Sequence, residues 1–178
     1  MARIPYADLA AADAKPLVDR IVAERGSVLH LYQMLLHSPP VAEGWLAFLT
    51  SIRQKCQLAG ALRELAIMRI AVLNGAPYEA DQHLPIARRE GVTEDQLGAL
   101  SVWSGSPAFG PRERCVLALT DAMTRDVTVA PSLVADARAR LGERETVELV
   151  ATIAAYNMVS RFLVALDIHS HDERGAPP

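Results

Sequence analysis

The stretch from Arg63 to His83 concentrates groups that can move protons. It begins Arg63-Glu64-Leu65-Ala66-Ile67 and closes Asn74-Gly75-Ala76-Pro77-Tyr78-Glu79-Ala80-Asp81-Gln82-His83. Glu79 precedes His83 by four residues, so on a helix the two side chains share a face. A carboxylate beside an imidazole orients the ring and raises its basicity, which makes a general acid/base pair near neutral pH. Glu79 also falls in the first turn of a helix opening at Pro77. Unpaired N–H groups and the helix dipole favour negative charge there, so Glu79 is ionised unless it is buried. Glu64 reaches the same pair if the helices fold back on each other at Gly75. Two plainer readings stand beside this one. Glu79 and His83 can be a solvated surface pair, and Glu64 can be ion-paired with Arg69 in the core. Glu79 and His83 can also ligate a metal, but the sequence offers no third ligand, so no metal is assigned.

The elements that position these groups are helical throughout. Apolar residues recur with the helical period, and no stretch alternates with period two. Glycine and proline punctuation predicts about eight helices, residues 13–25, 29–37, 41–57, 62–74, 77–90, 111–125, 131–141 and the longest, 143–168, with a short one to about 101 besides. Thr93 and Gln96 fit a capping box. Residues 103–110 form the one Gly/Pro/Ser-rich loop. The fold class is therefore all-α, a single domain over 1–178, with a helical extension at 1–40, a core at 41–168 and a frayed tail at 169–178. Two helices are too apolar for a free surface. Arg69 is the only charge between Glu64 and Glu79, and there is none between Glu148 and Arg161. Such helices belong in a core or an oligomer interface. Their polar groups, Glu64, Arg69 and Asn74 on one and Tyr156, Asn157 and Arg161 on the other, must find partners inside.

Composition narrows the function classes. A net charge of −3 over 178 residues lacks the basic excess of a nucleic-acid binder. Two cysteines, Cys56 and Cys115, far apart in sequence, cannot form a disulfide framework or a Cys-x-x-Cys redox pair. The first nine residues carry Asp8 and no apolar core, and no run approaches the roughly 18 apolar residues of a membrane span. The expectation is a reduced cytoplasmic protein with neither membrane nor nucleic acid as partner. There is no Gly-x-Gly-x-x-Gly fingerprint and no Gly-x-Ser-x-Gly elbow. Gly105 to Gly110 has phosphate-loop spacing, but Pro111 stands where the loop needs lysine.

Around the proton-moving groups the sequence resembles the carboxymuconolactone decarboxylase family, which includes the alkylhydroperoxidase D-like proteins. The resemblance runs from about residue 41 onward. Its carriers are Arg63-Glu64-Leu65, Ala71-Val72-Leu73-Asn74, Tyr78-Glu79-x-x-x-His83 and Ile86-Ala87 before Gly91. Glu148-Leu149-Val150-Ala151 and Tyr156-Asn157-Met158 through Arg161-Phe162 extend it. The resemblance implies an all-helical bundle of the alkylhydroperoxidase D-like type. It also implies a homotrimer or homohexamer, with sites where helices of neighbouring subunits meet. The peroxidase branch carries a Glu, a Cys-x-x-Cys pair and a His in this region. Glu64 and His83 match the Glu and the His, whereas the cysteine positions fall on Ala76 and Glu79. A thiol peroxidase is therefore disfavoured.

The departure resembles the decarboxylase branch, which implies a lyase without metal or organic cofactor, acting on a small carboxylated lactone or related ring-cleavage product. Electrons left by departing CO2 flow into the lactone carbonyl, and a general acid protonates carbon. His83 takes the proton-transfer role, and Glu79 or Glu64 orients it. Tyr78 helps hold the substrate, while Arg161 or Arg69 pairs with its carboxylate. Asn74, Tyr32, Tyr156 and Asn157 complete the expected binding set, although packing under the N-terminal helix is the favoured reading of Tyr32. Hydrolysis or isomerisation of a similar anionic substrate is the alternative chemistry. A non-catalytic oligomeric binding protein is the alternative class.

Overall fold

The computed structural model describes residues 1–126 and 128–172. Among them are eight α-helices and no strand: α1 (Lys15–Arg25), α2 (His30–Leu35), α3 (Pro39–Gln54), α4 (Gly60–Asn74), α5 (Pro77–Arg89), α6 (Glu94–Ala99), α7 (Pro111–Arg125) and α8 (Pro131–Leu166). A 3-10 segment, Leu100–Gly105, follows α6 and occupies the start of the stretch expected to be loop. The punctuation explains most boundaries. Pro77 and Pro111 open α5 and α7, where a missing N–H removes no helical bond. Gly75 closes α4 in the left-handed region (φ 59°, ψ 45°), and the Ala76 N–H bonds back to the Ala71 carbonyl at 2.9 Å. Thr93 and Gln96 make the reciprocal capping box at α6. The two helices expected at 131–141 and 143–168 are the two halves of α8, which meet at a non-helical kink at Gly142 (φ 82°, ψ 174°), a conformation essentially reserved for glycine.

The contacts divide the chain into two compact units, Met1–Lys55 with Leu163–Pro178, and Cys56–Phe162. Sequence punctuation drew its internal boundary at residue 40. In the first unit α1 and α2 pack on α3 around Ile21, Ala42, Leu46 and Leu49. Its two chain ends meet. Arg3 donates from its backbone N–H to Leu166 and from its guanidinium to Ala165, both at 2.9 Å, and the Tyr6 hydroxyl bonds to Asp172 at 2.7 Å. Of the stretch expected to fray, residues 169–172 are thus tied in, while 173–178 lie outside the described residues.

In the second unit α4 packs on α5 and α7. Every residue of α4 from Leu62 to Ala71 is buried, as its near-absence of charge requires. The Glu148 carboxylate on α8 accepts from the N–H groups of Gln57 and Leu58 (2.7 and 2.8 Å), which fixes the chain just ahead of α4. Two arginines tie down the segment after α6. Arg69 donates to the carbonyl of Leu100 at 2.8 Å, and Arg114 donates to those of Ser104, Ser106 and Phe109. An 18-residue window of α8 has a mean hydropathy of 1.6, enough by length and composition alone to cross a membrane, and half of that window is buried in the chain. The run-length criterion applied to the sequence passed over it, because isolated polar residues interrupt the apolar ones.

Candidate functional site

Helices α4, α5 and α8 bring four side chains of the second unit together. Glu64 lies mid-face on α4 with no solvent exposure. His83, on the second turn of α5, places Nδ1 at 2.7 Å from one Glu64 oxygen. The other oxygen accepts from Arg63 Nε at 3.0 Å, and the Arg63 guanidinium also faces Glu90 at 3.5 Å. The ring of Tyr156 on α8 meets the His83 ring edge-on, with centroids 4.9 Å apart and planes at 90°. Burial pushes the Glu64 carboxyl upward. The His83 hydrogen bond and charge, together with Arg63, outweigh it and hold the group below its ordinary value. Glu64 is therefore an ionised, acceptor-only carboxylate, and His83 Nδ1 must carry the hydrogen between them. That assigns the tautomer: in a neutral ring, Nε2 is the basic nitrogen.

Glu79 sits in a different environment from the one its sequence position suggested. It is 2% exposed. Its Oε2 accepts from the Ser160 hydroxyl on α8 at 2.8 Å, and its Oε1, also buried, has no hydrogen-bond partner among the described residues. Burial pushes its pKa up to about 8, against the smaller downward pull of Ser160. Desolvation thus overrides the N-terminal dipole, and Glu79 is a neutral acid at pH 7. An unmet buried polar atom costs about 1–3 kcal/mol. The carboxylate that orients His83 is Glu64 and not Glu79, although Glu79 is its neighbour on the helix.

The remaining expected residues separate into groups. Tyr78 on α5 and Tyr156 on α8 are both buried. Asn157 is held from three sides. It accepts from Asn74 at 3.1 Å and donates to Thr124 and to the Ile153 carbonyl, both at 3.0 Å. These bonds link the end of α4 to α7 and α8. Arg69 is not paired with Glu64. It makes a two-pronged ion pair with Asp121 on α7 (2.6 and 2.8 Å), and the Trp103 indole N–H joins the same carboxylate at 3.2 Å. A substrate-binding role for Arg69 requires breaking that pair. Arg161 is exposed on α8, and Tyr32 belongs to the first unit, where it is 2% exposed. Asp121, Trp103 and Ser160 were missed in the sequence. Only Ser160 had a local signal, four residues after Tyr156 on the same helix face. Among the described residues no group of three or more His, Cys, Asp or Glu side chains is arranged to hold a metal ion. Both cysteines are free, and neither stands at the Ala76 or Glu79 positions.

The all-helical fold is of the alkylhydroperoxidase D-like type. Residues 39–122 match the model of the carboxymuconolactone decarboxylase family. It is 33% identical over 131 residues to the uncharacterized protein YnjA of Escherichia coli (strain K12), spanning 70% of this chain and 66% of that one. It is 29% identical over 106 residues to the uncharacterized protein YdfG of Bacillus subtilis (strain 168), spanning 58% and 72%. A crystal structure described as an alkylhydroperoxidase AhpD core, an uncharacterized peroxidase-related protein from Ralstonia eutropha JMP134, shares the fold. The TM-score is 0.80 at 18% identity, over 96% of this chain and 93% of that one.

Proposed function

We propose that this protein is a cofactor-independent lyase that removes CO2 from a small carboxylated, conjugated lactone. The observation that carries the reading is the buried Glu64–His83 pair at 2.7 Å. A carboxylate fixed on Nδ1 stabilises the imidazolium and presents Nε2 as the proton-transfer atom. In the reaction the bond from ring carbon to carboxylate breaks, and its electron pair moves through the double bond into the lactone carbonyl. The imidazolium at His83 then delivers its Nε2 proton to the ring carbon next to that carbonyl, and the ring regains a proton from solvent. The buried Tyr156 ring contributes apolar wall beside His83. The absence of cysteine from positions 76 and 79 supports this reading over thiol peroxidase chemistry. The test is CO2 release from 4-carboxymuconolactone by the wild type and by His83→Ala. Release that the substitution abolishes supports the proposal. Release that the substitution leaves unchanged, or no release from folded protein, rejects it.

A further inference from the structure

Glu79 carries a feature that the His83–Glu64 pair does not use. Its carboxyl group is 2% exposed, with Ser160 donating to Oε2 and nothing among the described residues meeting Oε1. A carboxyl group that accepts at one oxygen and is neutral carries its hydrogen on the other. Burial favours that neutral form at pH 7. Oε1 is therefore a buried O–H donor lacking an acceptor. Folded proteins rarely leave such a group unmet without a reason. Glu79 also lies one helical turn before His83 on α5, which puts the two side chains on one face about 5–6 Å apart at Cβ.

We propose that Glu79 is a ligand-binding acid, whose Oε1–H donates to a carbonyl oxygen of the substrate while His83 acts on the carbon beside that carbonyl. This rests on the reading that His83 exchanges a proton with the substrate. It narrows the substrate class to compounds that develop an enolate. As the carbonyl oxygen gains charge, a donor already in place stabilises it without reorganisation. Glu79 keeps its own proton throughout, so atoms and charge balance with His83 as the only protein group that changes protonation. Ser160 is a positioning residue: its hydroxyl takes Oε2 and leaves Oε1 as the donor. The glutamate then does the work of a neutral hydrogen-bond donor, where an ionised carboxylate would repel the developing charge.

The probe is 5-oxotetrahydrofuran-3-carboxylate, a saturated lactone acid that cannot lose CO2 by the conjugated route. Infrared difference spectra between wild type and Glu79→Gln isolate the Glu79 carboxyl band. That band is expected at the position of a protonated acid in the free protein, and saturating probe is expected to move it to lower wavenumber as Oε1–H gains an acceptor. Calorimetric titration supplies the affinities. Glutamine retains an acceptor for Ser160 and a donor at the Oε1 position, so Glu79→Gln is expected to weaken the probe by about threefold and Glu79→Ala by about tenfold or more. Circular dichroism melts confirm that the variants are folded, and the wild-type band shift stands even if the alanine variant is not. An ionised-carboxylate band in the free protein, a band unmoved at saturating probe, no binding of the probe by wild type, or an alanine variant that binds like wild type each overturns the inference. Neither readout needs turnover. A protein that releases no CO2 yet shows the band shift loses the lyase reading and keeps this one. A protein that releases CO2 without the shift does the opposite.

Discussion

Replacing Glu79 with glutamine should change how stability depends on pH. In the folded protein the Glu79 carboxyl titrates at about 8, and its ordinary value is 4.5. Between those values the folded state holds a proton that the unfolded state has released. Stability therefore falls as pH rises, with the contribution fully present below 4.5 and lost through 8. The slope approaches about 1.4 kcal/mol per pH unit in the middle of that window. Between about pH 5 and pH 7, the proton-linked contribution of this one group declines by about 2–3 kcal/mol. Glutamine has no proton to lose, so Glu79→Gln should gain about 2–3 kcal/mol on wild type across the same interval. Urea unfolding of both proteins at half-unit pH steps measures the difference directly, and the subtraction cancels every other titrating group. Two parallel stability curves would show that Glu79 ionises normally and that its burial has been misjudged.

Three further outcomes follow from the same geometry. Arg69→Met should lower stability by about 2 kcal/mol in urea unfolding, because it removes both guanidinium bonds and leaves the Asp121 carboxylate to Trp103 and Arg125, and a loss below about 1 kcal/mol would show that the pair is not structural. Gly142→Ala should lower stability by about 1–3 kcal/mol, since φ 82° with ψ 174° suits only glycine and an added Cβ meets nothing within 4 Å; an unchanged melting temperature contradicts this. Burial pushes the Cys115 thiol up to about 11, so iodoacetamide at about pH 8 should leave it unmodified in the folded protein and alkylate it in urea; rapid labelling of the folded protein refutes that environment.

The helices were legible because their punctuation is local. Gly75, Pro77, Thr93 with Gln96, Pro111 and Gly142 each act on the backbone within a few residues, and the chain bends or breaks where they stand. The burial of α4 was legible too, since a helix with so few charges has no face to give to water. The pairing of the polar groups was not. Arg69 and Asp121 are 52 residues apart, and Glu79 and Ser160 are 81 apart. Only the packing of α7 and α8 decides which of the nearby polar groups they meet. The i,i+4 relation of Glu79 to His83 was a true local fact that pointed to the wrong partner. The tertiary neighbour Glu64 took the imidazole and left Glu79 to a hydroxyl. The same burial that made α4 readable set the charge state of Glu79, a consequence visible only once α8 lies over it.

The central claim is that His83, oriented by Glu64, protonates the ring carbon next to the lactone carbonyl once CO2 has departed. Decarboxylation of 4-carboxymuconolactone in deuterated water tests it most directly, with released CO2 and the deuterium on the product followed by NMR. The account predicts CO2 release by wild type with deuterium on one face of that carbon, and loss of both rate and facial selectivity in His83→Ala. Release with deuterium on both faces in the wild type, or an alanine variant that matches the wild type in rate and selectivity, would contradict it.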